Sequence, residues 1–138
     1  FSQKTIEELK YYVYVLVDPS DGKVFYVGKG TRNRVFNHLK GSIKNPLPTD
    51  KILTIKKIIK KGKKVKHYII RHGLEESSAF EIESTLIDLL TFNDFKHISK
   101  ISNLVSGHNA WDKGIKTVND IEALYAARPL KKTDITFY

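Results

Sequence analysis

Tyr14 and Tyr26 stand on either side of a turn with eleven residues between them, and the second leads into Gly28-Lys29-Gly30. Arg34 and His38 follow at i,i+4, a spacing that sets two side chains next to each other on a helix. Glu83 comes much later, within "AFEIESTLID". Strand tyrosines are most often half-buried packing residues. A phenol, with a pKa of about 10, becomes a base only where neighbouring cations favour the phenolate. A carboxylate among apolar residues is costly unless it is paired with Arg or Lys, bound to a metal or used to move a proton. Packing and chemistry are both open readings, and the elements that carry these residues have to separate them.

The stretch "YYVYVLVDPSDGKVFYVGKG" predicts a hairpin with strands over 11–17 and 24–28 around the turn formers Asp18-Pro19-Ser20-Asp21-Gly22. Tyr14 shares the parity of Tyr12 and Leu16 and opposes Val13, Val15 and Val17. The valines are then free to face the core, and Tyr14 and Tyr26 are expected at the surface of a shared pocket. A helical turn over Thr5 to Lys10 precedes the hairpin. After it, Thr31 reads as the N-cap of a helix through Lys40, stopped at Gly41, with Val35, Phe36 and Leu39 as its apolar stripe. A second helix near 50–61 ends at Gly62. It turns Ile52, Ile55, Ile58 and Ile59 toward the core and Lys56, Lys57, Lys60 and Lys61 away from it. A third strand is expected over Val65 to Arg71, ended by Gly73, then a helix from Ser77 to Leu90 capped by Ser77 or Ser78, and a short helix over Val118 to Ala127. The order β-β-α-α-β-α predicts an α+β fold, a small three-stranded antiparallel sheet flanked by helices. The whole of 1–138 is expected to be one domain, with its core over about 11–105 and a loop-rich extension over 106–138.

Projected at ~100° per residue, the 77–90 helix gathers Ala79, Ile82, Leu86, Ile87 and Leu90 on one side and Glu81, Ser84 and Asp88 on the other. Glu83 falls near the middle of the apolar side. That placement predicts a structural glutamate, salt-bridged to a buried Arg or Lys or snorkelling at the end of the stripe, or else a metal ligand or a catalytic acid or base.

Charge narrows the choice of partner. The chain carries a net charge of +9, and the excess is local: 22–71 holds fifteen Lys or Arg against Asp50 alone, whereas 72–138 holds seven basic and ten acidic residues. A basic half of this kind fits a polyanion, nucleic acid first, and the 51–71 segment with nine Lys or Arg is its densest part. Cysteine is absent, which excludes disulfides, thiolate metal sites and a cysteine nucleophile. No apolar run is long enough to span a bilayer, and no membrane partner is expected. The chain begins at Phe1 and contains no methionine, as an excised or processed piece of a longer protein would. His67, His72 and His97 show no ligand spacing, and "SGHNAWDKG" with His108, Asn109 and Trp111 could either contact substrate or pack.

Taken in order, Tyr12-Val13-Tyr14, Tyr26-Val27-Gly28, Arg34 and His38 in "YVGKGTRNRVFNH", Glu83 and Asn103 in "ISNL" resemble the GIY-YIG nuclease superfamily, most of all the branch of LEM-domain-associated nucleases and small bacterial stand-alone proteins. The resemblance covers roughly 11–105. It departs from the pattern at Tyr12, where the first motif usually has glycine.

The resemblance implies an intracellular metal-dependent endonuclease that hydrolyses phosphodiester bonds in nucleic acid, DNA ahead of RNA, one strand per active site. Glu83 would hold Mg²⁺, with Mn²⁺ as a substitute, because one carboxylate plus waters suits a cation that keeps its hydration shell. Arg34 would hold the phosphate through its planar fork. Tyr14 is assigned as the base for water, Tyr26 as a hydrogen-bond donor to phosphate, His38 as a proton relay, and Asn103 as the remaining site residue. The division between Tyr14 and Tyr26 stays open. Lys29, Arg32, Lys56, Lys57, Lys60 and Lys61 are expected to contact backbone phosphates. Two rivals stand beside this reading: a basic module that binds DNA or RNA without cutting it, and a toxin-type nuclease domain of a larger, secreted protein.

Overall fold

The computed structural model describes residues 1–37, 49–101 and 114–126. Its centre is a three-stranded antiparallel sheet in the order β2-β1-β3, built from β1 (Tyr11–Val17), β2 (Val24–Gly30) and β3 (Lys66–Leu74). The fold is therefore the α+β arrangement that the patterning predicts. β1 is the middle strand, and both of its faces are covered. Tyr12, Tyr14 and Leu16 pack with Phe25, Val35, Ile55, Ile58 and Val65 on one side. Val13, Val15 and Val17 pack with Val27, Ala79, Ile87 and Leu90 on the other. The valines do face a core, as expected. So do the tyrosines, and the surface placement expected for Tyr14 is corrected: its side chain is only 5% exposed.

Helices fill both layers. α1 (Gln3–Leu9) starts at Ser2, whose hydroxyl accepts from the Thr5 N–H, so it lies slightly earlier than expected. α2 (Asp50–Lys60) is capped by Thr49, whose Oγ1 accepts from Ile52 N–H at 3.3 Å. Ile52, Ile55 and Ile58 from α2 are buried, but Ile59 is 53% exposed and does not belong to the core face. Gly62 adopts φ +75 and terminates α2, the positive φ that glycine accepts without a Cβ clash. α3 (Glu76–Thr91) begins after Glu75, not at Ser77 or Ser78, and Glu75 makes no side-chain cap bond. Ser84 is buried although the projection puts it on the polar side; its hydroxyl donates to the Phe80 carbonyl and so needs no water. A 3-10 turn over Asn93–Ile98 and α4 (Val118–Ala126) complete the described elements.

Two boundaries differ for backbone reasons. β3 runs through Gly73 to Leu74, because its pairing with β1 shifts register between Tyr11 and Tyr14 and absorbs the φ of +71 at Gly73. After β2 the chain forms a 3-10 turn over Arg34–Phe36, and Thr31 does not cap a helix. Arg32 sits at φ 53, which breaks the run of right-handed residues a helix from 32 would need. The remainder of that expected helix, with His38, lies outside the described residues.

The hairpin is tied at its turn. Lys100 Nζ reaches Asp18 at 2.6 Å and Asp21 at 2.9 Å, and Lys100 N–H donates to the Val24 carbonyl. Burial raises both aspartates; the Lys100 ammonium, with the Ser20 N–H at Asp18 and the Lys23 N–H at Asp21, outweighs it and holds them below the ordinary carboxylate value.

Candidate active site

Two glycines on β2 open the site. Tyr14 pairs with Gly28 and Tyr12 with Gly30 across β1 and β2. A Cβ on Gly28 would sit 2.5 Å from the Cζ and hydroxyl oxygen of Tyr14, so the absent side chain is the space the phenol occupies. A Cβ on Gly30 would meet the Arg34 stem at 2.8 Å. The Y-V-G-x-G stretch thus ends a strand and seats the two side chains, Tyr14 and Arg34, that the motif supplies.

Arg34 is placed by a residue outside the expected set. Tyr12 is fully buried; its hydroxyl donates to the Arg32 carbonyl at 2.8 Å and accepts from the Val35 N–H at 3.1 Å. These bonds bracket Arg34 in sequence and fix the turn that carries it. At the position where the family usually has glycine, this chain has a phenol that braces the arginine.

Glu83 arrives from the opposite layer. β2 is an edge strand, and the outward N–H of Lys29 donates to the Glu83 carboxylate. The site therefore wraps the β2 edge, with phenols from the α2 face and a carboxylate from α3. One cavity of about 800 Å³ is lined by Tyr14, Tyr26, Lys29, Arg34, Lys51 and Glu83, with Gly28, Gly30 and Glu76 also at its walls. Glu76 was not expected there. Its carboxylate lies 3.7 Å from Lys29 Nζ and accepts a long bond, 3.4 Å, from the Tyr11 hydroxyl.

The electrostatics follow from this packing. The Tyr14 and Tyr26 ring centroids are 6.3 Å apart. Burial pushes both phenols above their ordinary value, the shift being larger at Tyr14, where Tyr26 adds to it. Glu83 pushes both further up and Arg34 pulls both down. Burial also raises Glu83, against the lowering influence of Lys29 and Arg34. In the resting cavity both phenols keep their protons. Lys51, from the first turn of α2, places its Nζ 4.0 Å from the Tyr26 ring centroid.

Of the expected site residues, the cavity gathers Tyr14, Tyr26, Arg34, Glu83 and Lys29. Arg32 lines a smaller neighbouring groove with Lys10. Lys56, Lys57, Lys60 and Lys61 are exposed along α2 and do not line the cavity. His38 and Asn103 lie outside the described residues, as do His108, Asn109 and Trp111. Among the described residues no group of three His, Cys, Asp or Glu is close enough to cage a metal ion. Sequence reasoning missed Lys51 and Tyr12; the signal for Tyr12 was its departure from the family pattern, and Lys51 was hidden among many lysines.

No curated protein and no solved structure matches the chain significantly. The family model of the LEM-3-like GIY-YIG domain matches residues 11–135. With the hairpin, the glycine-seated tyrosine, the braced arginine and the edge-bonded glutamate in this arrangement, the chain belongs to the LEM-3-like GIY-YIG family of nuclease domains.

Proposed function

We propose that this protein is a Mg²⁺-dependent endonuclease that cuts DNA, one strand per active site. The observation that supports it most is the meeting of Tyr14, Tyr26, Arg34 and Glu83 in one cavity from four separate elements. Packing alone gives no reason for a half-buried carboxylate and an arginine to share a cavity with two phenols.

Glu83 would hold the metal. One inward carboxylate without a three-residue cage fits a hydrated hard cation better than a fully dehydrated one. Such an ion supplies Lewis acidity at the phosphate and at the leaving 3′-oxygen, and offsets the Glu83 charge that helps keep protons on the phenols. Arg34 holds the scissile phosphate through its fork and stabilises the charge that grows there. Tyr14, against the Gly28 backbone, gives its own proton to solvent once the cation and Arg34 offset the Glu83 charge, and as the phenolate takes the proton of the attacking water; Tyr26 donates a hydrogen bond to a phosphate oxygen. Lys29 leaves its weak contact with Glu76 to meet an adjacent phosphate. His38 as relay and Asn103 as a further site residue rest on the family resemblance.

A second reading has one observation in its favour. Tyr14 is buried and firmly protonated, as a packing residue in a basic binding module would be. Incubation with Mg²⁺ and supercoiled, linear, branched and RNA substrates separates the two. The proposal expects cleavage of at least one DNA form, lost on chelation and in Arg34→Ala. Binding to all with cleavage of none would favour the binding module.

A further inference from the structure

Lys51 is in a position that the folded chain alone does little to stabilise. It belongs to the first turn of α2, where the helix dipole disfavours a cation. It reaches into the cavity beside Arg34, a second cation, and rests over the Tyr26 ring. Among the described residues no carboxylate lies within salt-bridge distance of it. Asp50, its neighbour in sequence, does not line the cavity. Burial and the Arg34 charge both lower its pKa, so its surroundings oppose the charged form. Solvated lysines elsewhere on α2, such as Lys56 and Lys60, bear no such cost because they are exposed.

A half-buried cation beside another cation and over an aromatic face is what an anion site looks like before its anion arrives. We propose that Lys51 and Arg34 form a paired clamp for a backbone phosphodiester of the nucleic acid, with the Lys51 ammonium staying over the Tyr26 ring while it bonds a phosphate oxygen. This rests on the nuclease reading and adds to it a phosphate-binding residue from α2, the element that carries the exposed lysine row. The strand would then be held where α2 meets the β2 edge, with Tyr26 between the clamp and the Gly28 opening. The cation over the ring and the phosphate contact are compatible, since an ammonium has three donors and a ring face uses none of the donor directions that point into the cavity.

The test is binding of a DNA duplex in metal-free buffer, in the Glu83→Gln background, over a series of salt concentrations. Lys51→Met keeps an unbranched side chain of similar length and removes the charge; Lys51→Arg keeps the charge. The proposal expects Lys51→Met to weaken binding about tenfold and to flatten the slope of log affinity against log salt by about 0.9, the amount for one phosphate. Lys51→Arg should retain both affinity and slope. Thermal melts show whether each variant is folded, and if Lys51→Met is not, Lys51→Gln takes its place. Unchanged affinity and slope in the charge-removed variant, or equal losses in the Met and Arg variants, would overturn the clamp while leaving the nuclease reading intact. Failure of the Glu83→Gln parent to bind DNA at all would overturn both.

Discussion

At the scale of single residues, the hydroxyls of Tyr12, Tyr14 and Tyr26 are chemically alike but differ in surroundings. Tyr14→Phe and Tyr26→Phe each remove one hydroxyl that faces the cavity, so stability should fall by no more than about 1–2 kcal/mol. Cleavage should fall roughly 100-fold or more, the contribution of a positioned acid–base or phosphate-bonding group. Tyr12→Phe should behave in the opposite proportion. It removes the hydroxyl that bonds both the Val35 N–H and the Arg32 carbonyl, a cost of about 1–3 kcal/mol. Its activity loss comes through the disordered Arg34, so the pH profile should keep its shape. Tyr14→Phe should lose the rise of rate with pH that ionisation of the base gives. Full-speed cutting by both cavity variants would return those rings to packing. Glu83 carries a prediction of its own. Its folded pKa is raised by burial, so its contribution to stability is fully present below the ordinary value of 4.5 and is lost as pH rises through the folded value. Glu83→Gln removes that loss. The variant should therefore melt above the parent at neutral pH, and the difference should vanish below about pH 4. A lower melting temperature at pH 7 would contradict the assignment of burial as the dominant influence.

At the scale of elements, the β2 edge and α2 do separate work. Gly28→Ala would drive a methyl into Tyr14, so the ring must move or β2 must separate from β1. An overpacking cost of about 1–3 kcal/mol is expected, with activity lost beyond what the stability change explains. A fully active Gly28→Ala would mean that Tyr14 is free to relocate and is not seated by the glycine. Along α2, reversing Lys57, Lys60 and Lys61 to Glu should weaken binding to all sequences alike and flatten its salt dependence. Unchanged binding would make that row a solubilising face. Much of this organisation was legible beforehand. The hairpin, the α2 boundaries and the inward Glu83 follow from alternation, the stop at Gly62 and helical periodicity. The burial of Tyr14 was not, because alternation shows which residues share a face but not that β1 is central and covered on both. The broken helix start at Arg32 was hidden because a left-handed arginine leaves no compositional mark. Lys51 was hidden because its difference from Lys56 is burial, which a lysine-rich sequence cannot display.

At the scale of the whole molecule, the site exists only while two layers stay in register around one edge strand. Phenols come from the sheet, arginine from the turn after it, and the carboxylate from α3, so the clamp of Lys100 on Asp18 and Asp21 holds together the hairpin and the chain that follows α3. Because both aspartates lie below the ordinary value of 3.8, that support is present at neutral pH and lost as pH falls through their folded values. Lys100→Ala should lower the melting temperature at pH 7 and lose that effect in acid. The central claim is that this assembly cuts nucleic acid and that Glu83 is needed for the cut but not for the grip. The direct measurement is plasmid nicking with Mg²⁺ beside duplex binding in metal-free buffer, for the parent and for Glu83→Gln. The account predicts nicking by the parent, at least ~100-fold less by the variant, and closely similar binding by both. Nicking by Glu83→Gln at the parent rate, or a parent that binds and never nicks, would contradict it.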